Sequence, residues 1–146
     1  MLDRNKTVNA SFEERSLWIQ LAAVGLALGA YFVIAGVMLA RGITALPAYV
    51  PLFAVAVVLL VVLLIAGHAI AAIANRPEGR DERDRIIEWR AESQSSWILA
   101  VGVLASIVGL ILSLESVWIA HLLLLSLFLS ELTKFGCQLV YYRRGM

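Results

Sequence analysis

The chain has 146 residues, of which 61% are hydrophobic and only 16% are charged, and its mean hydropathy is +0.85. A soluble domain carries about 45–50% apolar and about 25% charged residues, so this chain has too little polar surface for a globule in water and we predict that lipid surrounds it. The formal net charge of +1 gives no electrostatic reason to expect direct nucleic-acid binding, and the single cysteine, Cys137, excludes an internal disulfide.

Long apolar stretches predict four membrane-spanning helices in one domain that covers residues 1–146. The predicted spans cover about residues 17–40, 48–74, 95–113 and 116–142, and residues 75–92 form the loop between the second and third. Each is close to or longer than the roughly 20 residues that cross about 30 Å of hydrocarbon. No stretch alternates apolar and polar residues as a strand would. We therefore predict an all-α integral membrane four-helix bundle made of two helical hairpins.

The distribution of lysine and arginine predicts the orientation of these spans. Eleven of the twelve basic residues lie in the N-terminal tail, in the central loop and at the C-terminal end. They are Arg4, Lys6, Arg15, Arg76, Arg80, Arg83, Arg85, Arg90, Lys134, Arg143 and Arg144, whereas the two opposite loops hold only Arg41. By the positive-inside rule, both termini and the central loop are expected in the cytoplasm of a bacterial inner-membrane protein.

Each half of the chain begins with Ser-x-Trp-Ile after a charged segment, at Ser16–Ile19 and at Ser95–Ile98. This pattern indicates a weak parallel repeat of the two hairpins, although tryptophan also favours helix entries at the membrane interface for its own reasons. Small residues line one face of the first span and one face of the third. They are Gly25, Gly29, Gly36, Gly102, Ser106 and Gly109. Such faces let helix backbones approach closely, either within the chain or between copies in a homo-oligomer.

The central loop contains the charged sequence DERDRIIEWRAE at residues 81–92. On a helix its charged residues share one face and its large apolar residues another, so we predict an amphipathic cytoplasmic helix that continues or bends into the third span. The face carrying Asp81, Asp84, Arg85 and Glu88 has three interpretations. It is a solvated, salt-bridged surface, a docking surface for a cytoplasmic partner, or a divalent-cation site in which the arginines would compete for the carboxylates.

Ionisable residues inside the predicted spans form a second candidate site. His68 lies in the second span, and Glu131 and Lys134 lie three residues apart in the fourth. A charge at the bilayer centre costs about 3 kcal/mol on insertion scales, so such groups usually face protein or water. They form either a proton- or ion-linked cluster, or an inward-facing Glu131–Lys134 pair with His68 bonded to a carbonyl. His121 is expected near the opposite interface, and no compact ligand spacing predicts a metal site or a cofactor.

Three segments together resemble an uncharacterised family of small bacterial four-helix inner-membrane proteins. They are residues 11–19 (SFEERSLWI), residues 81–88 (DERDRIIE, the DERD-type loop) and residues 131–145, which end in YYRRG. Some members of that family are encoded beside small helix-turn-helix regulators, so the resemblance implies a signalling role. It carries no functional residues, because the family has none assigned.

These observations rank the possible functions. The chain has no nucleophile with an adjacent base, no phosphate-binding glycine loop and no zinc motif, so we expect it not to be an enzyme. The first hypothesis is a membrane module that senses a membrane condition or docks a cytoplasmic or membrane partner, such as a regulator. The alternative is a small oligomeric transporter or channel subunit that uses His68, Glu131 and Lys134.

Overall fold

The protein is an all-α four-helix membrane bundle, which confirms the predicted fold class. A computed structural model describes the backbone of residues 5–74 and 82–144, and the side chains of residues 16–70, 73 and 82–144. The helices are α1 (Asn5–Ala40), α2 (Val50–Ala74), α3 (Glu82–Ile111) and α4 (Ser116–Arg144), and a short 3-10 turn, Leu46–Tyr49, leads into α2. Each of the four helices contains a stretch long and apolar enough to cross a membrane.

Both hairpins end their first helix with the same backbone motif. Gly42 after α1 and Ser113 after α3 adopt left-handed conformations, with φ of 80° and 57°. The N–H group of the next residue reaches back five positions, so that Ile43 N–H donates to Met38 O at 3.1 Å and Leu114 N–H donates to Gly109 O at 3.0 Å. This Schellman motif satisfies the last carbonyls of a helix and stops it sharply. The chain can then reverse and begin the next span within a few residues.

The helices pack in the spatial order α2, α1, α4, α3, because α2 packs on α1, α1 on α4, and α4 on α3. Among the described helices, α2 and α3 do not pack extensively against each other, so the bundle is open rather than closed. α2, at one edge of the bundle, is almost wholly exposed to lipid. Only 6% of its most apolar stretch is buried inside the protein, against 28% for α1. The central pair, α1 and α4, therefore joins the two hairpins.

Two apolar clusters hold this order at opposite ends of the bundle. Near the connections within the hairpins, which we call the hairpin end, Tyr31 and Ala35 of α1 pack with Val117 of α4 and with the start of α2. Near the opposite end, which we call the termini end, Leu17 of α1 packs with Phe135 of α4. The α1–α4 contact thus runs through most of the membrane.

α3 is one unbroken helix that is longer than the hydrocarbon is thick. Its 30 residues span about 45 Å at a rise of about 1.5 Å per residue, whereas the hydrocarbon core is about 30 Å thick. About ten residues at its start therefore lie beyond the hydrocarbon at the termini end. The predicted amphipathic helix is this projecting part of α3, and it continues into the span without a break in the helix.

The two faces of small residues differ in what they contact. A methyl group built on Gly102 would overlap the Ser126 side chain, and one on Gly109 would lie 3.6 Å from Ile119 Cγ1, so α3 packs closely on α4. The hydroxyl of Ser106, on the same face, donates to Gly102 O at 2.8 Å. At Gly25, Gly29 and Gly36, in contrast, a methyl group would meet no other described part of the chain within 4 Å. Only the α3 face is used for close packing within the described chain.

We expect Gly102→Ala to lower the free energy of unfolding by about 1–3 kcal/mol, because the added methyl group has no room against the rigid Cβ of Ser126. Gly29→Ala is the matched control, since it makes the same change in open space and should be neutral or stabilising. Helix content followed by circular dichroism during denaturant titration in detergent measures both. Equal stabilities for the two variants would contradict the close contact between α3 and α4.

Candidate functional site

Three aromatic side chains form a buried polar cluster at the hairpin end. Tyr31 and Tyr49 are each 2% exposed and His121 is 8% exposed. The Tyr31 and His121 rings stack with centroids 5.8 Å apart, and Tyr49 meets His121 edge to face at 4.7 Å. The Tyr49 hydroxyl donates to Ile43 O at 2.6 Å, in the connection between α1 and α2. The cluster therefore joins α1, α4 and the α1–α2 connection.

The hydrogen bonds of His121 define its tautomer. Its Nδ1 lies 2.7 Å from Val117 O, and because a carbonyl oxygen only accepts, Nδ1 carries the hydrogen. Nε2 of the neutral ring then accepts the Tyr31 hydroxyl hydrogen over 3.2 Å. Among the described residues, no buried side-chain nitrogen or oxygen lacks a hydrogen-bond partner. This satisfied arrangement links α1 to α4 through the Tyr31–His121 hydrogen bond.

His68, the first residue of the predicted intramembrane cluster, bonds towards α1. Its Nδ1 lies 2.8 Å from Leu64 O, and its Nε2 lies 3.4 Å from Gln20 Nε2. Gln20 Nε2 also donates to Ser16 Oγ at 3.3 Å. Because α2 packs on α1 and not extensively on α4, His68 is turned towards the start of α1.

Glu131 and Lys134 lie on the termini side of the middle of α4, and both are half-buried. Glu131 lies 13 positions after Trp118, which is about 20 Å along α4 from the hairpin end. Lys134 Nζ lies 5.9 Å from the centroid of the Phe135 ring. Within residues 16–70 and 82–144, no hydrogen bond or ion pair joins Glu131, Lys134 and His68 to one another. One copy of the chain therefore does not assemble the three residues into a bonded cluster.

Tyrosine hydrogen bonds attach the projecting part of α3 to the end of α4. The Tyr142 hydroxyl donates to Asp84 Oδ1 at 2.9 Å, and the Tyr141 hydroxyl donates to Gln94 Oε1 at 2.8 Å. Deeper in the membrane, Ser130 Oγ donates to the backbone carbonyl of Ser95 at 2.9 Å. Three hydrogen bonds thus hold α3 on α4, one near its start at Asp84 and two at the neighbouring residues Gln94 and Ser95.

The residues predicted to form a docking surface are divided by this arrangement. Asp84 is half-buried and accepts the Tyr142 hydrogen bond, so it helps to join the helices. Arg85 is exposed and Glu88 is half-buried on the outer part of the same helix. Asp81 lies outside the described residues, which leaves its part in the docking surface and in the cation-site interpretation as predictions.

Two grooves of opposite character flank Trp89, whose side chain is 73% exposed. The acidic groove is lined by Glu82, Arg85, Ile86, Glu88, Trp89 and Glu92. The basic groove is lined by Trp89, Arg90, Ser93, Gln94 and Tyr141. Among the described residues, three carboxylates and one guanidinium line the acidic groove, whereas one guanidinium and no carboxylate line the basic groove.

A metal site and a cysteine are the remaining candidates for a functional site in the described part of the chain. No three His, Cys, Asp or Glu residues there could hold a metal ion together. Cys137, the lone cysteine, is half-buried in α4.

Sequence reasoning missed Tyr31, Gln20 and Gln94 as parts of polar contacts. Tyr31 and His121 lie 90 positions apart, so no local spacing relates them. The available signal was chemical: a tyrosine inside an apolar span needs a partner for its hydroxyl, and His121 is an acceptor of similar depth. That signal predicts that the tyrosine hydroxyl has a hydrogen-bond partner, but it does not identify the helix that carries this partner.

We expect Tyr31→Phe to lower the free energy of unfolding by about 1–3 kcal/mol, because it leaves buried His121 Nε2 without its donor. Tyr141→Phe removes a hydroxyl from an exposed hydrogen bond, where water can replace it, and should stay within about 0.5 kcal/mol of the original protein. Denaturant titration in detergent compares the two. A silent Tyr31→Phe would contradict the hydrogen bond across α1 and α4.

Comparison of this chain with protein-family models, with curated proteins and with solved structures found no match.

Proposed function

We propose that this chain is a non-enzymatic protein of the bacterial inner membrane that docks a cytoplasmic partner on the acidic groove of α3. The proposed orientation places the termini end in the cytoplasm. It is supported by the eleven lysines and arginines on that side, against Arg41 alone on the other.

The observation that carries this proposal is the unbroken projection of α3 beyond the hydrocarbon. A helix that served only as a membrane span would not need about ten further residues. Its first turn contains Glu82 and Asp84, which favour helix formation at the positive end of the helix dipole. The bond from Tyr142 to Asp84 adds support from α4, so the exposed side of α3 is ordered before a partner binds.

The chemistry of the acidic groove favours a basic amphipathic segment as the partner. Ile86 is 47% exposed and Trp89 73% exposed, and both offer apolar contact area away from α4. Carboxylates from Glu82, Glu88 and Glu92 surround them, with Arg85 as the single cation. The overall charge of the groove, rather than any unpaired carboxylate, complements lysines or arginines placed around an apolar residue. The resemblance to proteins encoded beside helix-turn-helix regulators agrees with a regulator as that partner.

Photo-crosslinking in cells that naturally make this protein tests the docking. A photoreactive phenylalanine derivative replaces Ile86 in the groove, or Leu112 at the hairpin end as the control position. We expect one discrete adduct from position 86 and none of the same mass from position 112. The crosslinked peptide should come from a cytoplasmic protein and should alternate basic with apolar residues.

Charge reversal shows whether that adduct depends on the groove. Glu88→Lys with Glu92→Lys should lower the adduct yield about fivefold or more, the ratio that corresponds to about 1 kcal/mol. Glu115→Lys, a reversal in the connection between α3 and α4, should leave the yield unchanged. An absent adduct, an acidic crosslinked segment or an adduct insensitive to the Glu88 and Glu92 changes would refute the proposal.

A second candidate function, proton- or ion-linked transport by an oligomer, is favoured by one observation. Glu131 is half-buried inside a span and has no hydrogen-bond or ion-pair partner among the described residues. A carboxylate at that depth needs water, a proton or a second copy of the chain to offset its transfer cost.

For transport, the expected result is proton flux in liposomes that Glu131→Gln abolishes. Glu115→Gln is the control, because it neutralises a carboxylate in the connection between α3 and α4. A pH-sensitive dye trapped in the liposomes reports the flux. The candidate would be eliminated if liposomes containing the original protein showed no more flux than protein-free liposomes. Equal flux from the two variants would also eliminate it.

A further inference from the structure

The geometry points to a binding site for an anionic phospholipid headgroup in the basic groove between α3 and α4. This groove is formed by Trp89, Arg90, Ser93 and Gln94 of α3 and by Tyr141 of α4. The inference is independent of the acidic groove and of any protein partner.

The depth of the groove matches the headgroup layer on the termini side. Counted from Ile111 at the hairpin end, Gln94 lies about 25 Å and Arg90 about 32 Å along α3 at about 1.5 Å per residue. Counted from Trp118 along α4, Tyr141 lies about 35 Å away. The hydrocarbon core is about 30 Å thick, so the groove extends from its edge into the polar layer.

The donors in the groove suit a phosphate diester. The exposed Arg90 guanidinium has no hydrogen bond or ion pair to another described residue, and it offers a planar set of N–H donors. Gln94 Oε1 already accepts the Tyr141 hydroxyl, which directs the amide and leaves its N–H groups as further donors. The Ser93 hydroxyl lies in the same wall. The described residues of the lining include a guanidinium and no carboxylate, so their charge is complementary to an anion.

The surroundings of the groove suit a lipid rather than a free ion. Trp89 borders the groove with its indole 73% exposed, and indole rings favour the layer between headgroups and chains. Trp97 lies two turns deeper, on the side of α3 turned away from α4, and it is also 73% exposed. An acyl chain attached to a phosphate beside Arg90 would pass along this face. Basic sites between helices at headgroup level are a recognised mode of anionic lipid binding.

Native mass spectrometry of the full chain, released from mixed micelles of phosphatidylglycerol and phosphatidylcholine, tests the site. We expect the original protein to retain phosphatidylglycerol in preference to phosphatidylcholine. Arg90→Gln should weaken that retention about fivefold, the ratio that corresponds to the loss of about 1 kcal/mol for one basic residue near the surface. Arg85→Gln is the matched control, because it removes an exposed arginine of the same helix that lines the acidic groove instead.

Three outcomes would overturn the inference. The first is equal retention of the two lipids by the original protein. This comparison does not depend on the folding of any variant. The second is an equal loss in Arg90→Gln and Arg85→Gln, which would indicate a diffuse attraction of lipid to basic residues. The third is displacement of phosphatidylglycerol by inorganic phosphate at equal concentration, which would identify a free anion as the ligand.

Discussion

The match between helix length and hydrocarbon thickness is the constraint on which the rest of the structure depends. Backbone groups in lipid must bond within their own helix, so a span has a minimum length, and any excess must lie in the polar layers. α2 comes close to that minimum, with 25 residues from Val50 to Ala74. α3 exceeds it, and the excess carries most of the acidic groove together with Trp89 and Arg90 of the basic groove. These parts of the candidate surfaces thus lie on helix that the membrane does not require.

The spans could be predicted from the sequence because the property that defines them is local. Runs of apolar residues and the charged residues that separate them are visible along the chain itself, without knowing which helices pack together. The order α2, α1, α4, α3 could not be predicted, because faces that meet lipid and faces that meet another helix are both apolar. The consequence for the predicted site is direct. His68 and Glu131 have similar depths, yet α2 lies against α1, and His68 bonds to Gln20 instead.

Polar side chains at the two ends of the bundle have different uses. At the hairpin end, Tyr31 and His121 bond to each other, and Tyr49 and His121 also donate to backbone carbonyls, so these buried polar groups hold the helices together. At the termini end, tyrosine hydroxyls join α3 to α4 from the side and leave Arg85 and Arg90 exposed on two flanks of the same helix. A charged protein segment and a lipid headgroup could therefore occupy adjacent surfaces around Trp89.

The open order of the helices also determines how movement could pass along the molecule. Since α2 packs mainly on α1 and α3 mainly on α4, the seam between α1 and α4 is the main contact between the two hairpins. A small rotation at that seam would move the projecting start of α3, and the movement would be larger the farther a residue lies from the membrane. Thickness or lateral pressure of the bilayer, which acts on the spans, would then be converted into the angle at which Trp89 and its two grooves face the surrounding solution.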